Sequence, residues 1–193
     1  MKDRDNNLTE TFTVQQLRWK ELHLEKAHLS VTYDVNGIYG AFGGEAYGGY
    51  VNGAFNIYLD EVFTWDGWVS GVDVKLGPVT RVLFPGYLLL EGAAEGKLIA
   101  TGNMNELYQA DGEFKNRSHG KFSIQALNDM ISELPPVMKG DIADQITRIG
   151  LETLRDFEYD SVDGKARFYG REGRGHLRFT GPQGMRNIDV NVY

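Results

Sequence analysis

The chain has 193 residues, no cysteine and a formal net charge of −7, which excludes disulfides and thiolate metal sites and argues against a basic surface for nonspecific nucleic-acid binding. Glycine takes 24 positions, above the ~7% usual in proteins, beside 12% aromatic and 41% apolar residues, a mixture of turn-rich β proteins and not of disordered chains. A chain of this length buries a real core without a metal or disulfide staple.

The opening Met1-Lys2-Asp3-Arg4-Asp5-Asn6-Asn7 carries no apolar run behind its charges. Neither a signal peptide nor a membrane-spanning helix is expected, and an exported protein would be represented here by a fragment. Residues 1–16 read as a polar tail and 17–193 as a single β-rich domain.

From Leu22 to Tyr33 apolar residues recur at roughly every second position, the period of a strand. Gly37 to Tyr58 interleaves glycines with aromatics and reads as a glycine-punctuated hairpin, with Gly43-Gly44 and Gly48-Gly49 at bends of a curved sheet. Further strands are expected over Val69–Leu76, Tyr87–Gly92 and Gly96–Gly102, and Pro78 and Pro85 bracket a helical turn at Val79–Phe84. Leu107–Gly112 and Gly120–Ile124 make another β pair.

The period then changes. Ile124, Leu127, Met130, Ile131 and Leu134 fall at helical spacing and Pro135-Pro136 stops the run; Asp141 caps a second run through Ile142, Ile146, Ile149 and Leu154. Two amphipathic helices, about 124–134 and 141–156, are therefore expected to pack on the sheet. Four alternating segments follow, with Asp163-Gly164 and Gln183-Gly184 as turn signals. The predicted class is mainly β, a β-rich α+β fold with a curved, largely antiparallel sheet.

Chemistry is sparse. His23 and His28 stand five apart, which on a regular strand places them on opposite faces, and no H-E-x-x-H or nucleophile elbow occurs. Asp156, Glu158 and Asp160 share one face of an extended segment, either as acid–base groups or as its wet side against Phe157 and Tyr159. Gly170 to Gly175 resembles a phosphate loop in composition but joins two strands, so it reads as a hairpin loop. No catalytic residue, metal site or cofactor is expected, and the chain is read as a non-enzyme. Phe63, Trp65 and Trp68 form a candidate interface cluster.

Leu90-x-Gly92, Gly96-x-Leu98-x-Ala100-x-Gly102, Leu107, Gly112, Gly120 and the apolar Ile124 and Leu127 resemble the AsmA-like carboxy-terminal pattern of envelope proteins. Leu151-Glu152-x-Leu154-Arg155-x-Phe157-x-Tyr159-Asp160-Ser161 and Asn187-x-Asp189-Val190-Asn191-Val192 resemble the end of the YdbH branch, which with AsmA and TamB belongs to a lipid-transport superfamily. The resemblance spans about Leu22 to Tyr193. It implies a carboxy-terminal module of a longer protein anchored in the inner membrane and exposed to the periplasm of a Gram-negative bacterium, in which a curved sheet offers an apolar groove to phospholipid or fatty acid chains.

A curved apolar face must be covered by helices, bind an apolar ligand or continue into a neighbouring module. The residues expected to line it are Phe42, Phe55, Ile57, Leu88, Leu90 and Ile99. The rival reading is a protein- or glycan-interaction domain using Trp65 and Trp68; a third is a hydrolase built on Asp156, Glu158 or Asp160.

Overall fold

The computed structural model describes residues 8–19, 22–83, 88–124, 156–182 and 184–192. Alternating sequence produces long strands: β1 (Leu8–Trp19), β2 (Leu22–Tyr33), β3 (Gly37–Ala46), β4 (Gly49–Tyr58) and β5 (Trp65–Lys75). The helix α1 (Leu76–Leu83) follows, then β6 (Leu88–Leu90), β7 (Ala93–Gly102), β8 (Leu107–Asn116) and β9 (Gly120–Ile124). The chain ends with β10 (Asp156–Tyr159), β11 (Ser161–Tyr169), β12 (Glu172–Gly181) and β13 (Gly184–Val192).

Ten strands make one open antiparallel sheet in the order β1-β2-β3-β4-β5-β7-β8-β11-β12-β13, and three make a second in the order β10-β9-β6. The expected mainly β, antiparallel class is what the chain adopts. Residues 8–16, read as tail, instead supply most of the edge strand β1: Thr9, Thr11 and Thr13 alternate with Phe12 and Val14, and β-branched threonine suits a pleated surface as well as an apolar residue does. The two expected amphipathic helices fall on residues 125–155, outside the described residues, apart from Ile124 and Asp156, which belong to strands. The helical turn expected at Val79–Phe84 starts earlier, at Leu76, with Pro78 in the first turn, where a missing N–H costs nothing.

Turn chemistry explains the hairpins. Tyr47 and Gly48 both have positive φ, 50° and 83°, and connect β3 to β4 as a two-residue turn of the kind whose twist matches the flanking strands. Gly170-Arg171 is likewise a two-residue turn between β11 and β12, with positive φ at Gly170 alone (58°), so this stretch is a hairpin and not a phosphate loop. Asp163-Gly164 is not a turn; it lies inside β11, where the ring of Phe114, the register partner of Gly164, covers the glycine.

The small sheet consists of the folded-over ends of three strands of the large one. β6 runs into β7 at Glu91-Gly92, β8 into β9 at Arg117–His119, and β10 into β11 at Asp160, and the neighbour order β6-β9-β10 repeats β7-β8-β11. The fold-over encloses the core of Leu90, Phe122, Phe157, Tyr159, Val162 and Phe179, with Phe114, Leu177 and Ile188 of the large sheet against it. Gly92, at φ 112°, permits the corner, and a Cβ there would strike Asn116. Fully buried Asn116 accepts from the Ser118 backbone N–H at 2.6 Å and donates to the Tyr159 hydroxyl at 3.1 Å, while that hydroxyl donates to the Glu91 carbonyl. One network therefore ties all three corners together.

Register aligns the faces across the large sheet. Phe12, Leu29, Phe42, Gly53, Val69, Leu98, Gly112 and Ala166 form one cross-strand row, entirely apolar. Within this face a large side chain repeatedly opposes a glycine: Phe55 covers Gly40, Phe42 covers Gly53, Phe114 covers Gly164 and Phe168 covers Gly173. The ring buries the bare backbone, a known way of stabilising glycine in strands. Gly164→Ala is expected to cost ~1–3 kcal/mol because its methyl would meet the Phe114 ring. Gly77→Ala in α1, where the nearest atom to the new methyl is 3.7 Å away, is expected to gain up to ~1 kcal/mol. Urea unfolding midpoints that moved in the same direction for both would contradict the ring-over-glycine account.

Candidate functional site

The two faces of the large sheet are the candidate surfaces. Phe42, Phe55 and Ile57, three of the residues expected to line an apolar surface, share the apolar face and are half-buried. Among the described residues the second layer packs on the β8, β11, β12 and β13 part of this face, because the side chains of its core meet Phe114, Val162, Leu177, Phe179 and Ile188. Toward β1 the same face retains partly exposed Phe12 (48%) and Leu98 (41%).

The other expected lining residues do not join it. Leu88 and Leu90 belong to β6 in the small sheet; Leu90 is a buried core residue, and Leu88 pairs in register with Ile124. Ile99 points to the opposite face, 47% exposed, in a row that runs Trp68, Ile99, Asp111, Arg167, Arg174 and Asn191. The apolar run Leu98-Ile99 hides this: in a strand only one of two neighbours can face each way, and Leu98 is the one on the apolar face.

Trp65 and Trp68, three apart, likewise fall on opposite faces and form no joint patch. Trp65 lies in the Ile57 row with its indole N–H donating to the Asn103 carbonyl at 2.9 Å, and Trp68 lies on the polar face with the Lys97 ammonium 5.6 Å from its ring centre. His23 and His28 share the polar side despite their odd spacing, because the bulge between Glu25 and His28 adds one residue and restores the alternation. The His23 ring packs edge-on against Tyr47 at 4.8 Å.

Asp156 and Glu158 alternate on β10 with buried Phe157, and Asp160 sits at the corner into β11. Glu158 and Asp160 are exposed and lie 4.0 and 3.5 Å from the ring nitrogens of exposed His119. No metal-binding group of three such side chains occurs among the described residues. No described helix is long and apolar enough to cross a membrane.

The polar face contains a trough of about 1010 Å³ spanning β7, β8, β11, β12 and β13. This trough is lined mainly by charged and polar side chains, unlike the apolar groove expected. Ile99 and Tyr169 are set among its charges. Asp111 accepts from the Gln109 amide on one oxygen and from the Arg167 Nε at 2.5 Å on the other. Gln109 first, then Arg167, hold that carboxyl below its ordinary range, and the same bond raises Arg167. His176 Nδ1 lies 2.7 Å from Asp189. At the trough's margin Arg117 pairs with Asp163 at 2.8 Å and lowers it.

Sequence reasoning passed over Lys165 and Arg167 as strand residues, placed Arg174 in the hairpin loop and gave His176 no ligand role. Their signal was present in the alternation Lys165-x-Arg167-x-Tyr169 and Glu172-x-Arg174-x-His176, which puts each set on one face. Compared with known proteins, the chain matches no family model, no curated protein and no solved structure.

Proposed function

We propose that this chain is a noncatalytic module that shields acyl chains of phospholipid or fatty acid against the apolar face of its ten-stranded sheet, as part of a cell-envelope protein of the AsmA-like kind. The observation that carries the reading is the unbroken apolar row from Phe12 to Ala166, none of whose residues belongs to the core cluster under the small sheet among the described residues. Apolar surface of this extent on an open sheet gains from burial at roughly 25 cal/mol per Å² removed from water, and an acyl chain supplies flexible apolar cover without demanding polar partners. The cross-strand glycines keep the face low and smooth, so a chain can lie across several strands. Within this reading the envelope location, the inner-membrane anchor of a longer protein and the neighbouring modules come from the AsmA-like resemblance.

Leu98 and Ile99 allow a sharp test, since adjacent and similarly exposed residues point to opposite faces. Native mass spectrometry with lipid extraction of gently purified protein is expected to find phospholipid or fatty acid at near-stoichiometric amounts. Leu98→Asp is expected to abolish that retention and Ile99→Asp to preserve it, with both variants equally folded by circular dichroism. Equal retention by both, or an apo wild type, would count against the acyl-chain reading.

A further inference from the structure

The polar trough contains an arrangement that sheet stability alone does not favour. Arg167 and Arg174 are direct register partners on β11 and β12, and the next pair along the hairpin is Lys165 and His176. Like charges directly opposite each other destabilise a strand pair, whereas the neighbouring pair Asp163 and Arg178 has opposite signs. Two basic pairs in succession thus form a square of four nitrogen-bearing side chains on one face, in a chain whose net charge is −7.

Four carboxylates line the trough, Asp111, Glu113, Glu172 and Asp189, and two of them are already occupied. Asp111 uses one oxygen for Gln109 and the other for the Nε of Arg167, and Asp189 is engaged with His176. Glu113 stands between two lysines, Lys97 and Lys165, as their register partner. Arg174 has Arg167 on one side of its row and the uncharged Asn191 on the other. Glu172, two residues before it on the same face of β12, also lines the trough, but among the described residues no carboxylate lies within ion-pair distance of Arg174, so its planar fork of donors lines the trough without a salt-bridge partner.

We propose that this square is a binding site for an oxyanion, a phosphate ester group, held between Arg174 and Arg167 with Lys165 alongside. Guanidinium forks match the geometry of phosphate oxygens and form short, charge-assisted hydrogen bonds. A dianion placed between the two arginines turns their mutual repulsion into a shared attraction. The trough, at about 1010 Å³, has room for the rest of a small ligand beside exposed Tyr169. The site faces away from the apolar surface, so it stands or falls independently of acyl-chain binding.

The test uses the full chain, glycerol 3-phosphate as the free probe, and phosphatidylcholine vesicles with and without phosphatidic acid as the lipid-borne source. Arg174→Gln removes the uncompensated fork. Arg171→Gln, in the turn of the same hairpin, removes the same charge from outside the trough. Saturable NMR shifts of β11 and β12 amides on adding glycerol 3-phosphate are expected, weakened about tenfold or more in Arg174→Gln and within about twofold of wild type in Arg171→Gln. The Arg174→Gln protein should melt no lower than wild type, since it loses a repulsive neighbour, which a purely structural role would not predict. Binding only to phosphatidic acid vesicles, with the same dependence on Arg174, would assign the phosphate to a lipid headgroup and support the site. Shifts that fail to saturate with either source, or equal losses in the two variants, would overturn it.

Discussion

Phe122→Ala is expected to lower the stability of the fold by about 3–5 kcal/mol. Phe122 is 1% exposed, and its ring centre lies 5.0 Å from Phe157 within the small sheet and 4.9 Å from Phe179 of the large one. It stands in the central strand of the small sheet, with Leu90 and Phe157 as register partners on either side. Truncation removes the transfer energy of the ring and leaves a cavity that β6 and β10 cannot close without losing their pairing to β9. Phe12→Ala, at a 48% exposed site on the edge strand, is expected to cost less than about 1 kcal/mol. Equilibrium urea unfolding followed by tyrosine fluorescence and circular dichroism measures both. Equal losses would mean that the fold-over is not the core of the molecule.

Tyr159→Phe is expected to cost ~1–3 kcal/mol near neutral pH, because it leaves the Asn116 amide and the Glu91 carbonyl without their buried partner. Its pH dependence separates this role from simple packing. Burial pushes the Tyr159 phenol up to about 12 from 10.0, with the Asn116 amide acting in the opposite direction. The folded state therefore holds the proton more firmly than the unfolded chain. Stabilisation from the neutral phenol is complete below about pH 10 and disappears as pH rises through about 12. The stability gap between wild type and Tyr159→Phe should thus stay constant up to about pH 10 and narrow between there and pH 12. Urea titrations across that range measure it, and parallel curves would show that the hydroxyl is already in water.

Particular elements show where the sequence was legible. The hairpin expected from Gly37 to Tyr58 is β3 and β4, its turn at Tyr47-Gly48, where a bend was expected, while Gly43-Gly44, the other expected bend, lies within β3. The helical turn after Pro78 is α1, begun three residues before Val79 because the last residues of β5 pass straight into it. Errors arose where one local signal serves two structures. Asp163-Gly164 has turn composition, yet the glycine is required because Phe114 lies over it, a partner 50 positions away in the chain. Threonines at Thr9, Thr11 and Thr13 look like tail, yet they are the polar face of an edge strand, whose outer side needs no apolar residue.

The candidate surfaces divide in the same way. Phe42, Phe55 and Ile57 were found because each lies in a regular alternating strand, where side-chain direction follows from local parity. Ile99, Leu90 and the tryptophan pair were misplaced because parity must be counted from a reference that only strand pairing provides. A single inserted residue, as at the bulge in β2, reverses it. The oxyanion square of Lys165, Arg167, Arg174 and His176 needs two strands in register to exist at all.

By itself, the sequence determined the mainly β class and the antiparallel pairing, since strand period, glycine and aromatic content act over a few residues. Only the tertiary structure decided that three strands fold back over the large sheet to make the core, and which row of side chains is continuous from β1 to β11. It alone placed a trough on the charged face. Those features depend on pairing between residues far apart in the chain, and on corners whose geometry is set by Asn116, Tyr159 and Gly92 together and by none of them alone.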